Sequence, residues 1–443
     1  MIEYVINATG VWKGIGFWDH ALTCAGEKNN IKISHKDREV LKKLAVRVAE
    51  LAARPQESEK VKLWYSHNAL QTKHPVILAD PENGWNDIIT ANRMECEGDL
   101  ARRWEVVLRK EIFWGESMQD DRPIEAHFYI GHTCSDSGWG VSGKFRGGKN
   151  GGTYAWDSPV KEMEDLEKLH YPRIEVDYKT TGETINLAKE IFGNILKVKL
   201  KGVWWWGFGL TYDLAILIGL ERIMLLPYDS PDFLHKAMEI LRDGNMQKLN
   251  FLEENGLLTL NNDGSYVGSG GIGYTRELPR RKFPDSDSSV RTEDMWGFAE
   301  SQETIGMSPG MYEEYIFRYQ LPILKRFGLN CYGCCEPLDK RWPVIKNIPN
   351  LRRVSVSAWA DKKKMAEYLQ DKYIFSLKPN PADLAVTEMD CNRIQKDMRR
   401  YLEITKDAVL EIIMKDNHTL GKNPSNITNW VKIVRQEVEK TGR

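Results

Sequence analysis

The chain has 443 residues, 42% of them hydrophobic and 28% charged, with 62 Lys+Arg against 63 Asp+Glu. That length spans up to three ordinary domains or one enlarged α/β barrel, and the composition is that of a chain able to bury a large core. A formal charge of −1 leaves no electrostatic excess for nucleic acid or anionic lipid. No run of about 18 apolar residues predicts a membrane span, and no basic, then apolar, leader pattern opens the chain. Seven cysteines, three of them within 331–335, argue against a disulfide framework and for a reducing, cytoplasmic setting. Fifteen tryptophans call for a core, an interface or an aromatic-lined pocket.

Residues 1–31 read as an irregular extension with several glycines. The region 32–180 is helical and irregular. It begins with SHKDREVLKKLAVRVAELAA, which sets Val40, Leu41, Leu44, Ala45, Val48 and Leu51 on one face with Ser34 as N-cap. PIEAHFYI (123–130) predicts a strand, and 131–157, with RGGKNGG inside it, a linker or loop. From 181 onward helix and strand alternate. ETINLAKEIFG predicts a helix, ILKVKL a strand, and the Trp204–Trp206 triplet a loop. A helix follows from about Tyr212, then a long one over 231–254, a short strand at LLTLNN, and a Gly/Pro/Ser-rich loop at 268–289. The GSGGIG run in that loop lacks the strand–turn–helix setting of a dinucleotide site.

The last 120 residues hold four strand–helix units. The strands are FGLNCY (327–332), LRRVSVSAW (351–359), KYIFSL (372–377) and AVLEIIM (408–414). The helices are PLDKRWPVIKNI, DKKKMAEYLQ, one over about 390–405, and one bearing Ile427, Trp430, Val431, Val434 and Val438. Their regular spacing predicts an α/β fold over 181–443, a parallel sheet with crossover helices, with a helical extension before it; a (β/α)8 barrel is one form such a sheet takes.

In such a barrel the loops after the strands converge on one rim. Here they read Gly333-Cys334-Cys335-Glu336-Pro337, then Ser357-Ala358-Trp359-Ala360-Asp361, then Lys378-Pro379-Asn380-Pro381, and last Lys415-Asp416-Asn417-His418-Thr419. Adjacent cysteines bridge each other only under strain, so Cys334 and Cys335 are free thiols or metal ligands. A catalytic zinc takes three ligands from thiolate, imidazole and carboxylate and keeps one position open. Cys334, Cys335, Glu336 and His418 are the expected set. The competing reading is a pair of buried small side chains with Glu336 a surface acid. His132-x-Cys134 has metal-ligand spacing but lies outside the regular units. Asp361 reads as an N-cap or an active-site carboxylate, Lys378 as a surface lysine or an active-site base, and Glu300 as a further acid. Trp205, Trp206, Trp296, Gln302 and Trp359 are the expected substrate contacts, since neighbours in an extended run alternate and all three of the Trp triplet cannot enter one core.

The run WGFAESQETIGMSPGMYEEYIFRYQLPILKRFGLNCYGCCEPL, with IPNLRRVSVSAWADKKKMAE, FSLKPNP and IIMKDNHTLGKNPSNITNWV, resembles the uroporphyrinogen decarboxylase superfamily. It is closest to that superfamily's branch of corrinoid-dependent methyltransferases. The resemblance spans about 180–440 and extends back to about 32. It implies a (β/α)8 barrel, a zinc ion that activates the methyl-bearing group, and a cobalamin carried by a separate corrinoid-binding protein. The branch's usual metal pattern is His-x-Cys and a later Cys. Cys334-x-Glu336 and His418 stand at those places here, so the ligand types are permuted. The expected activity is methyl transfer between a small methoxylated aromatic and the corrinoid cobalt, as in anaerobic O-demethylation, by a chain that can form a homodimer. No counterpart of the arginine-rich segment of the true decarboxylases is present, which makes tetrapyrrole decarboxylation the second reading and a non-catalytic barrel the third.

Overall fold

The computed structural model describes residues 31–141, 143–147, 154–280 and 289–442; the extension expected over 1–30 lies outside these. Eight strands are parallel to a neighbour: β1 Val76–Ala79, β2 His127–Ile130, β3 Lys197–Leu200, β4 Trp296–Ala299, β5 Leu329–Tyr332, β6 Leu351–Val356, β7 Ile374–Leu377 and β8 Val409–Met414. Six of them form one parallel sheet in the order β1-β8-β7-β6-β5-β4, and β2 pairs with β3 in a separate parallel ribbon. All four C-terminal units thus supply neighbouring strands. The N-terminal strand β1 lies beside the last one, with Val76 opposite Glu411 and Ala79 opposite Met414.

Among the described residues the ladder is not continuous between β1 and β2 or between β3 and β4. Side chains satisfy the exposed sheet edges instead. The Asp121 and Asp120 carboxylates accept from the backbone N–H groups of Ile77 (2.7 Å) and Ala79 (3.0 Å). At the opposite edge the Asn261 side-chain amide accepts from Trp296 N (2.9 Å) and donates to Trp296 O (3.0 Å). An unpaired edge buried without such partners would cost several kcal/mol per group on the order of its lost hydrogen bonds. Asn261 also explains why LLTLNN, expected as a strand, has no ladder: its side chains, with Thr259 bonding Gly202 (3.2 Å), take the partner's backbone.

Strand parity divides the sheet. Ala299, Tyr332, Val354, Phe375, Leu377, Leu410 and Ile412 face the helices and join the main core. Their alternates face the other way: Trp296, Phe298, Leu329 and Cys331 pack with Val267, Leu278 and Cys334, and Val76, Leu78 and Ile413 pack with Ile272 and Tyr274. Between these two inner clusters Arg353, Ser355, Ser376 and Glu411 are buried.

A hairpin, Tyr266–Val267 with Gly271–Ile272, lies against this inner face. Its glycines are there because the wall leaves no room for a β-carbon. One at Gly268 would stand 2.7 Å from Cys331 Cβ, one at Gly270 2.6 Å from Ile413 Cγ2, and one at Gly271 2.3 Å from Arg353 Cζ. The GSGGIG run is a packing device.

Other expectations are corrected locally. The loop expected over 131–157 contains two antiparallel pairings, Cys134–Asp136 with Ile174–Val176 and Lys144–Gly147 with Tyr154–Asp157. The helix expected from Tyr212 is two, Thr211–Ile218 and Leu220–Asp229, parted at Gly219 with φ +102°. The helix expected at 337–348 shrinks to Trp342–Ile345. The helix predicted from Ser34 runs His35–Ala52, and the Ser34 hydroxyl accepts from Asp37 N at 3.1 Å. Among the described residues no helix is long and apolar enough to cross a membrane.

Gly268→Ala combines a positive φ (+68°) with a clash against the buried Cys331 side chain, so it should lower unfolding stability by roughly 1–3 kcal/mol, read as a lower urea midpoint.

Candidate functional site

The loop after β5 turns sharply at Gly333, φ +92°, and brings two sulfurs to the sheet's C-terminal edge. Cys334 is buried and Cys335 half-buried, with their Sγ atoms 3.4 Å apart. The Cys335 thiol donates to Asp416 Oδ2 at 3.2 Å. Ligand atoms of Cys334, Cys335 and Asp416 all lie within 4.8 Å of one another, the one such His/Cys/Asp/Glu group among the described residues. Lys415 Nζ stands 3.6 Å from Cys334 Sγ and pairs with Asp416 Oδ1 at 2.5 Å. Ser269, on the turn of the inner hairpin, donates to Cys334 Sγ at 3.3 Å.

The electrostatics follow from these contacts. The close contact with the Cys335 sulfur draws the Cys334 thiol below its ordinary range, with the Lys415 ammonium adding to it against burial. Cys335 is pushed up, first by the same contact and then by its partial burial. Burial pulls Lys415 down, yet Cys334, Asp416 and Glu82 together hold it well above an ordinary lysine. The cluster therefore favours the ionised form of Cys334 over that of Cys335, beside one cation.

The expected ligand set is only partly assembled. Glu336 turns back into its own loop: its carboxylate accepts from Cys334 N (2.8 Å) and Ser301 N (2.8 Å) and so shapes the backbone that presents the sulfurs. His418 is exposed, and its carbonyl accepts from Asn83 Nδ2 at 2.7 Å. Asp416 joins the sulfurs in their place because its backbone adopts φ +61°. Along an extended strand Glu411, Ile413 and Lys415 share the inner face. The left-handed turn at Asp416 swings a side chain that would point outward back onto the sulfurs. Its place in the run after the last strand was the available signal; the turn was not readable from residue types.

Asp361 is exposed and caps its helix, accepting from Lys363 N and Lys364 N at 3.1 Å each. Trp359 is 73% exposed, away from the sulfurs' burial. Glu300 is buried, accepts from Gln302 N (2.8 Å), and is raised well above an ordinary glutamate by burial, then by Glu303 and Glu336. The side chain of Gln302 reaches Glu303 (3.2 Å). Lys378 is buried rather than at the surface; it donates to Ser376 Oγ, and burial lowers it to about 8. His132 stacks on Trp204 with centroids 5.3 Å apart, and neither it nor Cys134 enters the cluster.

Sequence inspection missed the buried network below the sulfurs. The Glu411 carboxylate meets Arg353 Nε at 2.9 Å and His67 Nε2 at 3.0 Å, and Ser376 donates to it. Despite burial, Arg353 and His67 hold Glu411 far below the usual glutamate range, while burial lowers His67. Charged residues at inward strand positions were the readable signal.

A cavity of about 140 Å³ adjoins the hairpin. Trp205, Trp206, Trp296 and Phe298 form its aromatic side; Glu125, Tyr129 and Lys201 line its polar side. It connects to the sulfurs through shared packing: Val267, Trp296 and Phe298 line it and belong to the same apolar cluster as Cys331 and Cys334. Trp359 and Gln302 are not among its lining residues.

No known family model and no curated protein matches the chain. Among solved structures it is similar to a methyltransferase from Methanosarcina mazei, with 11% identity over 68% of this chain and 76% of that one and a TM-score of 0.40. That likeness is too low to carry an argument.

Glu411→Gln leaves Arg353 buried without its counter-charge and should cost about 3–5 kcal/mol of stability at neutral pH. Because the folded glutamate titrates below its ordinary 4.5, its contribution is complete above that pH. The gap between the two proteins should therefore narrow as denaturation is followed to lower pH.

Proposed function

We propose that the chain is a zinc-dependent methyltransferase, moving a methyl group between a small methoxylated aromatic and the cobalt of a corrinoid carried by a partner protein. The observation that carries this reading is the Cys334–Cys335–Asp416 cluster, joined through Val267, Trp296 and Phe298 to a ring-sized cavity lined by indoles. Two sulfurs and a carboxylate oxygen around a tetrahedral zinc stand about 3.6–3.8 Å apart; the contacts of 3.4 and 3.2 Å fit a three-ligand site after small adjustments. When bound there, the metal supplies Lewis acidity to the heteroatom that loses the methyl group.

The chain's own residues do the rest. Glu336 and Ser301 fix the backbone of the sulfur loop. The Glu300 carboxyl, raised well above an ordinary glutamate by burial and by its acidic neighbours Glu303 and Glu336, is the acid of this reading. Lys415 balances the negative charge of Cys334 and Asp416. The indoles orient the ring and exclude water. In the same reading the ribbon β2–β3 and the six-stranded sheet are two arcs of one (β/α)8 barrel, with Asp120, Asp121 and Asn261 bridging its seams.

The cavity speaks against tetrapyrrole decarboxylation. An enclosed cavity of about 150 Å³ holds one benzene ring, and about 140 Å³ suits one ring better than four linked pyrroles.

Purified chain given a methoxylated aromatic and free cob(I)alamin should form methylcobalamin, followed by its absorbance change. It should carry about one zinc per chain, and chelation should abolish both. Cys334→Ser and Asp416→Asn should each lower zinc content and activity by at least about tenfold. Full activity after complete metal removal overturns the zinc role. A metal-free protein with no transfer supports a non-catalytic barrel.

A further inference from the structure

The charges around the ring-sized cavity do not cancel. Lys201 Nζ is bound by both oxygens of Asp263 at 2.9 Å and donates to Ser265 Oγ, so its three donors are committed. Arg122 lies across Glu111 with contacts of 2.6 and 2.8 Å. Each basic side chain thus has its own acid.

Glu125 has no lysine or arginine within ion-pair distance among the described residues, although Lys199 and Arg122 lie near enough to feel its charge. Its polar contacts are the Tyr129 hydroxyl, donating at 3.3 Å, the Tyr274 hydroxyl, and His127 Nδ1 at 3.7 Å. Its side chain keeps 24% exposure, so it is open to a ligand. Trp205, Trp206, Trp296 and Phe298 line the same cavity. Electron-rich ring faces with a carboxylate that no lysine or arginine directly pairs favour a cation, because quadrupole and charge attract it together. The same carboxylate repels an anionic ligand, which finds no uncommitted donor on Lys201 to offset the repulsion.

We infer that this cavity takes a single aromatic ring bearing a cationic amine, with the ammonium at Glu125 and the ring among the indoles. The inference rests on the methyltransferase reading, in which this cavity holds the methyl donor, and it narrows that donor to aryl methyl ethers with an ammonium head in place of a carboxylate.

The test is calorimetric titration of the full chain with three probes of similar size. They are 2-(4-methoxyphenyl)ethylammonium, the neutral 4-ethylanisole, and 4-methoxybenzoate. The ammonium should bind at least about tenfold more tightly than either of the others, and Glu125→Gln should erase that preference while the neutral probe's affinity stays within about twofold. Equal or tighter binding of the benzoate, no binding by any probe, or a preference that survives in Glu125→Gln each overturns the inference. If the variant fails to fold, the ranking on the unaltered chain decides alone. Binding and chemistry fail separately: preferential ammonium binding without methylcobalamin formation sinks the methyltransferase reading and leaves the cavity assignment standing. Methyl transfer from a carboxylated ether, with no ammonium preference, does the reverse.

Discussion

The fully buried Glu411 carboxylate is the point on which the inner face is built. It draws together Arg353 of β6, Ser376 of β7 and His67 of the Pro55–Asn68 helix. A carboxylate taken out of water is tolerable only when its partners meet it closely. The contacts continue outward from it: Arg353 reaches Asn68 Oδ1 at 2.6 Å, and the Asn68 amide donates to the carbonyls of Ile272 and Tyr274 at 2.8 Å each. One buried charge thereby ties three strands, a helix and the inner hairpin into one network.

That network decides where the hairpin goes. With Arg353 and Cys331 filling the wall, only a chain without β-carbons can pass close to it, and the hairpin crosses on its glycines. Its turn then delivers Ser269 to the Cys334 sulfur, while Tyr266, Val267 and Gly268 form part of the cavity lining. The sulfur cluster and the aromatic cavity are coupled because one short hairpin borders both. A shift of that hairpin would alter thiolate solvation and cavity shape together.

Much of the fold was legible because local periodicity and burial agree there. The four C-terminal strand–helix units, the Ser34 cap and the Pro231–Glu254 helix all follow from hydrophobic spacing. Where the reading failed, side chains had replaced backbone partners. Asn261 takes the Trp296 backbone that a strand at LLTLNN would have paired. In the 131–157 segment the short pairings depend on distant residues such as Ile174–Val176, which no local pattern reveals.

The residue types alone determined an alternating α/β chain, a cysteine pair at the end of one parallel strand, and a second polar loop at the end of another. Only the folded chain decided which donors meet. Glu336 is drawn into backbone N–H groups two residues away and one strand over, and His418 is carried outward. Asp416 is turned inward by a left-handed backbone conformation. Spacing reports which strand end a side chain stands on. Its final direction depends on a single φ angle and on which buried hydrogen-bond donors lack a partner, and both are set by the rest of the structure.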